Sequence, residues 1–289
     1  MIKDVALIFE GGGMRASYTA GVPVTMLEEG IEFSDVYGIS AGSSHAANYI
    51  SRDIWRTKAS FVDFFANPGV AGWGMFLRGR GYFNAEYIYE RCCLPGEKLV
   101  FNFEEFLDNP MRMHIEAFER DTGRSVQWNK DDMKTMPDLM KRVRACSTMP
   151  LFMPPIEIEG HFYLDGGIAD SSGIMLEQAK RDGFNKFFIV LTQERGYRKR
   201  PAKRPLFIKT LCGPHKNVAK RMLSRYEHYN EILDEITELE ARGDAYVFYP
   251  RVMPVKSTTL DQALLQESYR LGYAQAKEEL SAWRDFLYD

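Results

Sequence analysis

Short apolar runs and helical periodicities alternate along the chain. Residues 5–9, 36–39 and 186–192 are largely apolar runs, which are typical of parallel strands that helices cover on both faces. Between the first two runs, residues 17–29 predict a helix with one apolar face. The beginning of the chain therefore predicts a βαβ unit with a right-handed crossover.

The rest of the chain predicts further strands and helices in a similar alternation. They are a helix over 41–50, a hairpin formed by 111–118 and 124–128, a helix over 131–146, two strands over 156–158 and 162–164, a helix over 214–242, a strand over 246–249 and a helix over 260–288. This order predicts an α/β fold with a mostly parallel central sheet flanked by helices. A chain of 289 residues can form one large domain of this class, or a domain with a smaller appendage.

The segment 61–83 has no clear period and combines large apolar side chains with glycines and Pro68. Two interpretations remain open for it. It is either a loop whose aromatic side chains pack into the core, or a mobile apolar flap.

Composition narrows the function classes. The 37 Lys and Arg against 40 Asp and Glu give a net charge of −3, which offers no support for a nucleic-acid partner. The four cysteines, Cys92, Cys93, Cys146 and Cys212, fit neither a disulfide framework nor metal-ligand spacing. We therefore expect reduced thiols, no metal and no cofactor.

The N-terminal residues lack the apolar core and the cleavage site of a signal peptide, and no apolar run has the length that a membrane span needs. These features predict a cytoplasmic protein that is able to contact membrane surfaces. Residues 195–204 hold six basic side chains without an acid. This run is interpreted as a solvated loop, with a contact to an anionic membrane surface as the alternative.

The segment 35–45 carries the most chemistry. Gly38-Ile39-Ser40-Ala41-Gly42 lies between a predicted strand and a predicted helix, where a serine would occupy a sharp elbow beside free helix amides. Gly38 and Gly42 leave room for such a turn. Ser40 is therefore the candidate nucleophile, and an ordinary turn is the alternative.

A serine nucleophile needs donors for the oxyanion that forms on its substrate. The glycines Gly11, Gly12 and Gly13 follow the first strand, and their amides are able to turn inward as an anion nest. The amides of residues 11–14, up to Met14, are the candidate oxyanion donors. Arg15 either supports this loop or is an exposed residue at the start of a helix.

The nucleophile also needs a base. The five histidines are His45, His114, His161, His215 and His228. None of them lies in a persuasive setting, and the order of elements differs from that of the α/β-hydrolases. Asp165 ends a predicted strand, and Gly166 and Gly167 after it permit a close approach. Asp165 is therefore the preferred base, with a simple hairpin turn as the alternative.

A rival template fits the same glycine loop. Gly11-x-Gly13-x-x-Ala16 after a strand is close to a dinucleotide-binding fingerprint, with Asp35 about twenty residues further on. That template needs its acid at the end of the second strand, whereas Asp35 lies at the start. The rival is therefore less favoured.

Together these motifs resemble the patatin-like phospholipases. The glycine loop, the serine elbow and Asp165-Gly166-Gly167 occur in the family's order. Residues 145–155 are similar to the family's Ala-Ser-x-x-x-Pro-x-x-Phe-x-Pro segment. Two departures stand out: Ala16 replaces a common glycine, and residues 170–173 lack the proline often found after the Asp-Gly-Gly motif.

The resemblance implies a three-layer, patatin-like fold. Residues 1–182 would form the catalytic domain, and residues 183–289 would add the rest of the sheet and a mostly helical extension on the same core. It also implies a Ser40–Asp165 dyad in a phospholipase A type serine hydrolase, whose substrates are fatty-acyl esters of phospholipids or related lipids. The alternatives are a catalytically weak lipid-binding or regulatory protein and, less favoured, a dinucleotide-binding oxidoreductase.

Overall fold

The computed structural model describes residues 1–67 and 69–288. Pro68, part of the segment 61–83, lies outside the described residues. The strands are β1 Val5–Phe9, β2 Asp35–Gly38, β3 Arg112–Glu119, β4 Ser125–Asn129, β5 Ile156–Ile158, β6 His161–Asp165, β7 Lys186–Val190 and β8 Ala245–Phe248. The helices are α1 Ala16–Thr19, α2 Gly21–Glu28, α3 Ala41–Ile50, α4 Ile54–Ala59, α5 Trp73–Leu77, α6 Phe103–Asp108, α7 Met136–Cys146, α8 Leu176–Arg181, α9 Pro205–Cys212, α10 Lys216–Arg242 and α11 Gln262–Tyr288.

These strands form one mixed sheet with helices on both sides. Its order is β5-β6-β3-β2-β1-β7-β8, with β4 paired to β3. The strands β3, β2, β1, β7 and β8 run parallel, whereas β4, β5 and β6 are antiparallel to their neighbours. The predicted α/β class, the first βαβ unit and both predicted strand pairs are confirmed.

Strand β3 pairs with two strands along one edge. Its first half runs parallel to β2, where Ile115 lies opposite Gly38. Its second half runs antiparallel to β6, where Ala117 lies opposite Asp165. Because β4 pairs with both halves, it occupies the other edge. The C-terminal ends of β2 and β6 are therefore neighbours in space.

The central strands are buried because their side chains are apolar on both faces. Every residue of β1 and β2 is buried. On β7, Phe188 meets the indole of Trp283 from α11 edge-on, with ring centroids 5.3 Å apart. The C-terminal helix is thus part of the main core.

Helix α11 also holds α1, the helix that follows the glycine loop. The hydroxyl of Ser17 donates to the hydroxyl of Ser268 at 2.9 Å, and Tyr18 donates to the side-chain oxygen of Gln275 at 2.6 Å. Gly272 lies so close to the carbonyl of Tyr18 that a side chain there would overlap it. The sheet and this helix therefore belong to one packed body. The boundary predicted at residue 182 stays a prediction.

Several predicted helix bounds were wrong. The helix expected over 131–146 begins at Met136, after a short 3₁₀ turn. Thr135 caps it by accepting from the amide of Asp138, and Pro137 fits only the first turn because it has no amide to donate. The helix expected over 17–29 starts at Ala16 and is divided at Ala20. The short helices α4, α5, α6, α8 and α9 were not predicted.

The segment 61–83 is mainly packed rather than free. Phe64, Val70 and Phe83 are buried in two satellite clusters. In contrast, Trp73 and Leu77 of α5 are 62% and 84% exposed. The first interpretation therefore holds for most of the described part of the segment, and α5 forms its exposed tip.

None of the helices within the described residues has both the length and the apolarity that crossing a bilayer requires.

Candidate active site

Ser40 occupies a strained elbow between β2 and α3. Its φ is 54° and its ψ is −123°, a conformation that residues with a side chain rarely adopt. The hydroxyl of Ser43 donates to the carbonyl of Ser40 at 2.6 Å, and the amide of Ser40 donates to the sulfur of Cys146 at 3.1 Å. Side chains at Gly38 and Gly42 would overlap backbone atoms, so both glycines are required for the close approach.

Asp165 lies directly beside this serine. Its Oδ2 accepts a hydrogen bond from Ser40 Oγ at 2.7 Å, and its Oδ1 accepts from the amide of Gly167 at 2.6 Å. A side chain at Gly166 would strike the carbonyl of Glu116, so only glycine permits this approach to β3. Burial raises the pKa of Asp165, although the bonds from Ser40 and Gly167 act in the opposite direction.

The glycine loop offers fewer free amides than predicted. The amide of Gly11 donates to the carbonyl of Gly173 at 3.1 Å, that of Met14 to Ser257 at 3.0 Å, and that of Arg15 to Gly12 at 3.3 Å. The amides of Gly12, Gly13 and Ala41 have no acceptor among residues 1–67 and 69–288. The predicted donor set 11–14 therefore narrows to Gly12 and Gly13, joined by Ala41 at the start of α3.

Gly13 is the position in this loop that requires a glycine conformation. Its φ is +56°, and a Cβ there would lie 2.5 Å from the carbonyl oxygen of Ser257. Gly11 has a steric role instead, because a Cβ there would lie 3.1 Å from the Cβ of Ser40. The loop is thus pressed between the elbow and the segment before α11.

Two cavities meet at Ser40. One has a volume of about 50 Å³ and apolar walls that include Met14, Phe83 and Met153. The other has a volume of about 320 Å³, and its lining includes Asp165 and several charged side chains. The nucleophile candidate therefore lies at a boundary between an apolar and a polar space.

The polar cavity contains three cationic side chains: Arg15, Lys199 and Arg225. Glu10, at the end of β1, is also in its lining. Glu10 accepts hydrogen bonds from the hydroxyl of Tyr229 at 2.6 Å and from the amide of Thr192 at 2.5 Å. Its oxygens are thus already bound by neutral donors.

Comparison with known proteins agrees with the motifs at this site. The sequence profile described as "Patatin-like phospholipase" matches residues 7–176, which include the elbow, the glycine loop and Asp165. The chain belongs to the patatin-like phospholipase family. A second profile, of a domain of unknown function (DUF6363), matches residues 215–288.

Individual relatives are distant. The uncharacterized protein YjjU of Escherichia coli K12 is 25% identical over 199 residues, which are 65% of this chain and 52% of that protein. The chain thus spans about half the length of that relative. The crystal structure of VipD from Legionella pneumophila has a TM-score of 0.50 at 13% identity, over 96% of this chain and 67% of that chain. This second likeness concerns the fold alone.

The structure accommodates both departures from the patatin-like pattern, although Ser172 in the second one has a positive φ of 50°. Ala16 has φ −61° and ψ −16°, an ordinary helical conformation, so no glycine is needed. In residues 170–173, the amide of Ser171 donates to Glu116 at 3.0 Å, and the carbonyl of Gly173 accepts from the amide of Gly11. These bonds hold the segment that a proline would stiffen.

The histidines take no part in this patatin-like site. His45 is fully buried and bonds Thr19, and burial lowers the pKa of His45 to about 3. The other four contact carboxylates elsewhere, with distances of 2.9 Å for His114 to Asp35, 2.8 Å for His161 to Glu119, 3.4 Å for His215 to Asp121 and 3.1 Å for His228 to Glu231. Among the residues that the structure describes, no histidine is hydrogen-bonded to Ser40 or Asp165.

Asp35 does not support the dinucleotide template. It lies at the start of β2, away from the glycine loop at the strand's other end. Burial acts to raise the pKa of Asp35, but hydrogen bonds from His114 and Arg112 outweigh burial and hold that pKa well below its usual range. Asp35 is thus engaged in a structural ion pair.

The basic run 195–204 is partly neutralised. Arg195 pairs with Glu240 at 2.7 Å, and Arg198 pairs with Asp234, both from α10. Lys199 turns into the polar cavity. The other five basic side chains of the run are exposed, which agrees with the interpretation as a solvated loop, and Lys199 is the exception.

Sequence reasoning missed three residues of the site: Cys146, Lys199 and Arg225. Arg225 lies on the side of α10 that faces the cavity, three residues after Met222 and four before Tyr229. A cation within an apolar helical stripe was the signal that could have revealed it.

Proposed function

We propose that this protein is a serine acyl-ester hydrolase that acts through a Ser40–Asp165 dyad. The observation that carries the proposal is the hydrogen bond of 2.7 Å from Ser40 Oγ to Asp165 Oδ2, within a chain of the patatin-like phospholipase family. The strained elbow supports the same role, because strain persists where the surroundings hold a residue in a functional geometry.

The mechanism follows from the positions of the groups. Asp165 accepts the proton of Ser40 as the hydroxyl oxygen attacks the ester carbonyl. The amides of Gly12, Gly13 and Ala41 stabilise the oxyanion of the tetrahedral intermediate. Asp165 then returns the proton to the leaving alcohol. It next activates a water molecule that releases the acid from the acyl-enzyme.

The raised pKa of Asp165 makes this carboxylate a stronger base than an ordinary aspartate. Its second oxygen is held by Gly167, which fixes the orientation of the carboxylate toward the serine. A carboxylate therefore does the work that a histidine performs in a serine triad.

The substrates are proposed to be fatty-acyl esters of phospholipids or related lipids, cleaved in the manner of a phospholipase A. The apolar cavity beside Ser40 suits the acyl group. It continues toward a second apolar space of about 40 Å³, with which it shares walls formed by Phe61, Phe65 and Tyr89. Longer acyl chains must displace part of these walls.

The decisive experiment measures hydrolysis of acyl esters of graded chain length by wild type, Ser40→Ala and Asp165→Asn. Wild type should be active and both variants should lose acyl transfer. Equal rates for all three would refute the dyad. Lipid binding without any labelling of Ser40 by a fluorophosphonate would instead favour a lipid-binding or regulatory protein of the same fold.

We also propose that the protein is cytoplasmic and binds the surface of anionic membranes. Arg200, Lys203 and Arg204 of the basic run are available for this contact, since Arg195 and Arg198 are paired with acids. If vesicles of phosphatidylserine and phosphatidylcholine bind a triple Ala variant of these three residues as well as wild type, this contact does not exist.

A further inference from the structure

The polar cavity beside Ser40 has an excess of positive charge that the dyad mechanism does not use. Lys199, Arg225 and Arg15 line it together with Asp165. None of the three cations forms an ion pair with a carboxylate in the described part of the chain, although many other Lys and Arg side chains there do. The cavity also holds two carboxylates, Asp165 and Glu10, so its three cations leave a formal excess of one positive charge, which suits an anionic ligand.

Lys199 is directed into the cavity by its backbone. Its amide donates to the side-chain oxygen of Asn230 at 2.9 Å, and its carbonyl accepts from the side-chain amide of Asn230 at 3.0 Å. Its ammonium group lies 4.3 Å from the centre of the Tyr229 ring. Both contacts are made by α10, so the position of this cation depends on a helix and not on a free loop.

Arg225 approaches the same space from α10. Its guanidinium donates to the carbonyl of Ser172 at 3.2 Å. One of its nitrogens lies close enough to Gly167 that a Cβ there would be 3.0 Å away. Because Gly167 donates to Asp165, Arg225 stands beside the reacting carboxylate. A ligand that contacts Arg225 is therefore adjacent to the ester bond.

We propose that Lys199 and Arg225, with Arg15 at the edge, form a subsite for a phosphate or carboxylate group carried on the alcohol part of the ester substrate. The acyl part and the alcohol part lie on different sides of the attacked carbon. The apolar cavity accepts the acyl part, which leaves the cationic cavity of about 320 Å³ for the alcohol part. This inference rests on the proposed hydrolase function and names its substrate class.

The ionisation of Lys199 agrees with this role. Burial, together with the charges of Arg225 and Arg15, lowers the pKa of Lys199 to about 7, whereas Glu10 acts to raise it. A cation under such repulsion gains stability when an anion binds near it. An anionic substrate at this subsite would relieve the repulsion among these cations.

The first test compares two soluble esters with the same butyryl group, one of glycerol 3-phosphate and one of glycerol. Wild type should prefer the phosphate ester. Lys199→Met and Arg225→Met should each lower the ratio of kcat/KM, phosphate over neutral ester, by about tenfold to a hundredfold. Lys220→Met is the matched control, because Lys220 is exposed on α10, the helix that carries Arg225, and lies outside the cavity lining. An unchanged ratio in both cavity variants would overturn the proposal.

The second test needs no turnover. The reactivity of the Lys199 amine toward trace acetic anhydride at pH 8 is measured by peptide mass spectrometry, in the presence of glycerol 3-phosphate, glycerate or glycerol. Protection by either anion but not by glycerol supports the subsite, and the stronger protector identifies the anionic group. If neither anion protects, the proposal fails. If no ester is hydrolysed, the hydrolase function fails, while protection still decides whether the anion site exists.

Discussion

Ser40 and Asp165 meet because Gly38 and Asp165 lie opposite residues only two positions apart on β3, Ile115 and Ala117. The distance of 2.7 Å between the hydroxyl and the carboxylate is therefore set by the sheet. A site mounted on strands tolerates little displacement of its groups.

Lengthening the acid should show this rigidity. Asp165→Glu keeps the charge but moves the carboxylate by one methylene, and a misplacement of about 1 Å costs about a hundredfold in rate. We expect kcat for a butyryl ester to fall by at least that factor. Asp170→Glu, at an exposed acid five residues further on, is the control and should retain wild-type kcat.

The pH profile should report the raised pKa of Asp165. The base must be ionised, so kcat/KM should rise with pH through a value above 3.8, the ordinary pKa of an aspartate. Arg225 acts to lower this pKa, so Arg225→Met should move the acid limb to higher pH. A limb that stays in place in this variant would contradict the electrostatic link.

The same shift makes a prediction about stability. Between pH 3.8 and the native pKa, the folded protein binds more protons at Asp165 than the unfolded chain does. This group's stabilisation is present at low pH and is lost as pH rises through the native pKa. The unfolding free energy of Asp165→Asn relative to wild type should therefore increase over that pH range, as measured by urea unfolding.

Lys199 should produce a basic limb. Its ammonium group, with a pKa of about 7, loses its charge as pH rises, so kcat/KM for the glycerol phosphate ester should fall above about pH 7. Lys199→Arg keeps its charge and should remove this limb. The neutral glycerol ester serves as the control, since its profile should lack the limb.

Two substitutions of Ser40 should separate strain from chemistry. Ser40→Gly and Ser40→Ala both remove the hydroxyl, but only glycine adopts φ 54° without strain. Strain of this kind costs about 1–3 kcal/mol, and part of it is offset by the greater entropy of unfolded glycine. We expect Ser40→Gly to be about 1 kcal/mol more stable than Ser40→Ala. Equal urea midpoints would show that the elbow is unstrained.

Gly12 in the glycine loop and Ala16 at the start of α1 should respond differently to substitution. A Cβ at Gly12 would lie 2.7 Å from Thr192, so Gly12→Ala should displace an oxyanion donor and lower kcat by about 10²–10³. Ala16→Gly should leave kcat unchanged, because Ala16 has helical angles. It should cost about 0.5–1 kcal/mol of stability.

Much of the fold was predictable because local patterns carry it. The apolar runs of β1, β2 and β7 and the glycines around Ser40 each extend over only a few residues. Both are therefore visible in the amino-acid sequence. The start of α7 was also visible, since Thr135 and Asp138 form a capping box and Pro137 belongs to a first turn. Giving this capping box more weight than the apolar periodicity would have placed the start of α7 at Met136.

Other features depend on contacts between distant segments. The apolar neighbours of Arg225 on α10 indicate that it faces inward, but no local pattern indicates that Arg225 and Lys199 both face Ser40, because that depends on how α10 lies across the sheet. Likewise, the choice of Gly12 and Gly13 over Gly11 and Met14 depends on acceptors at Gly173 and Ser257. Such partners are set by tertiary packing, which local spacing does not encode.

The contacts between α1 and α11 link the two ends of the chain. The carbonyl of Ser257 accepts a hydrogen bond from the amide of Met14. Ser268 and Gln275 accept hydrogen bonds from Ser17 and Tyr18, the second and third residues of α1. A fragment that stops at residue 182 would keep the nucleophile and its acid yet lose the brace behind the loop that must cradle the developing negative charge. Removing the C-terminal segment would therefore also disable the glycine loop.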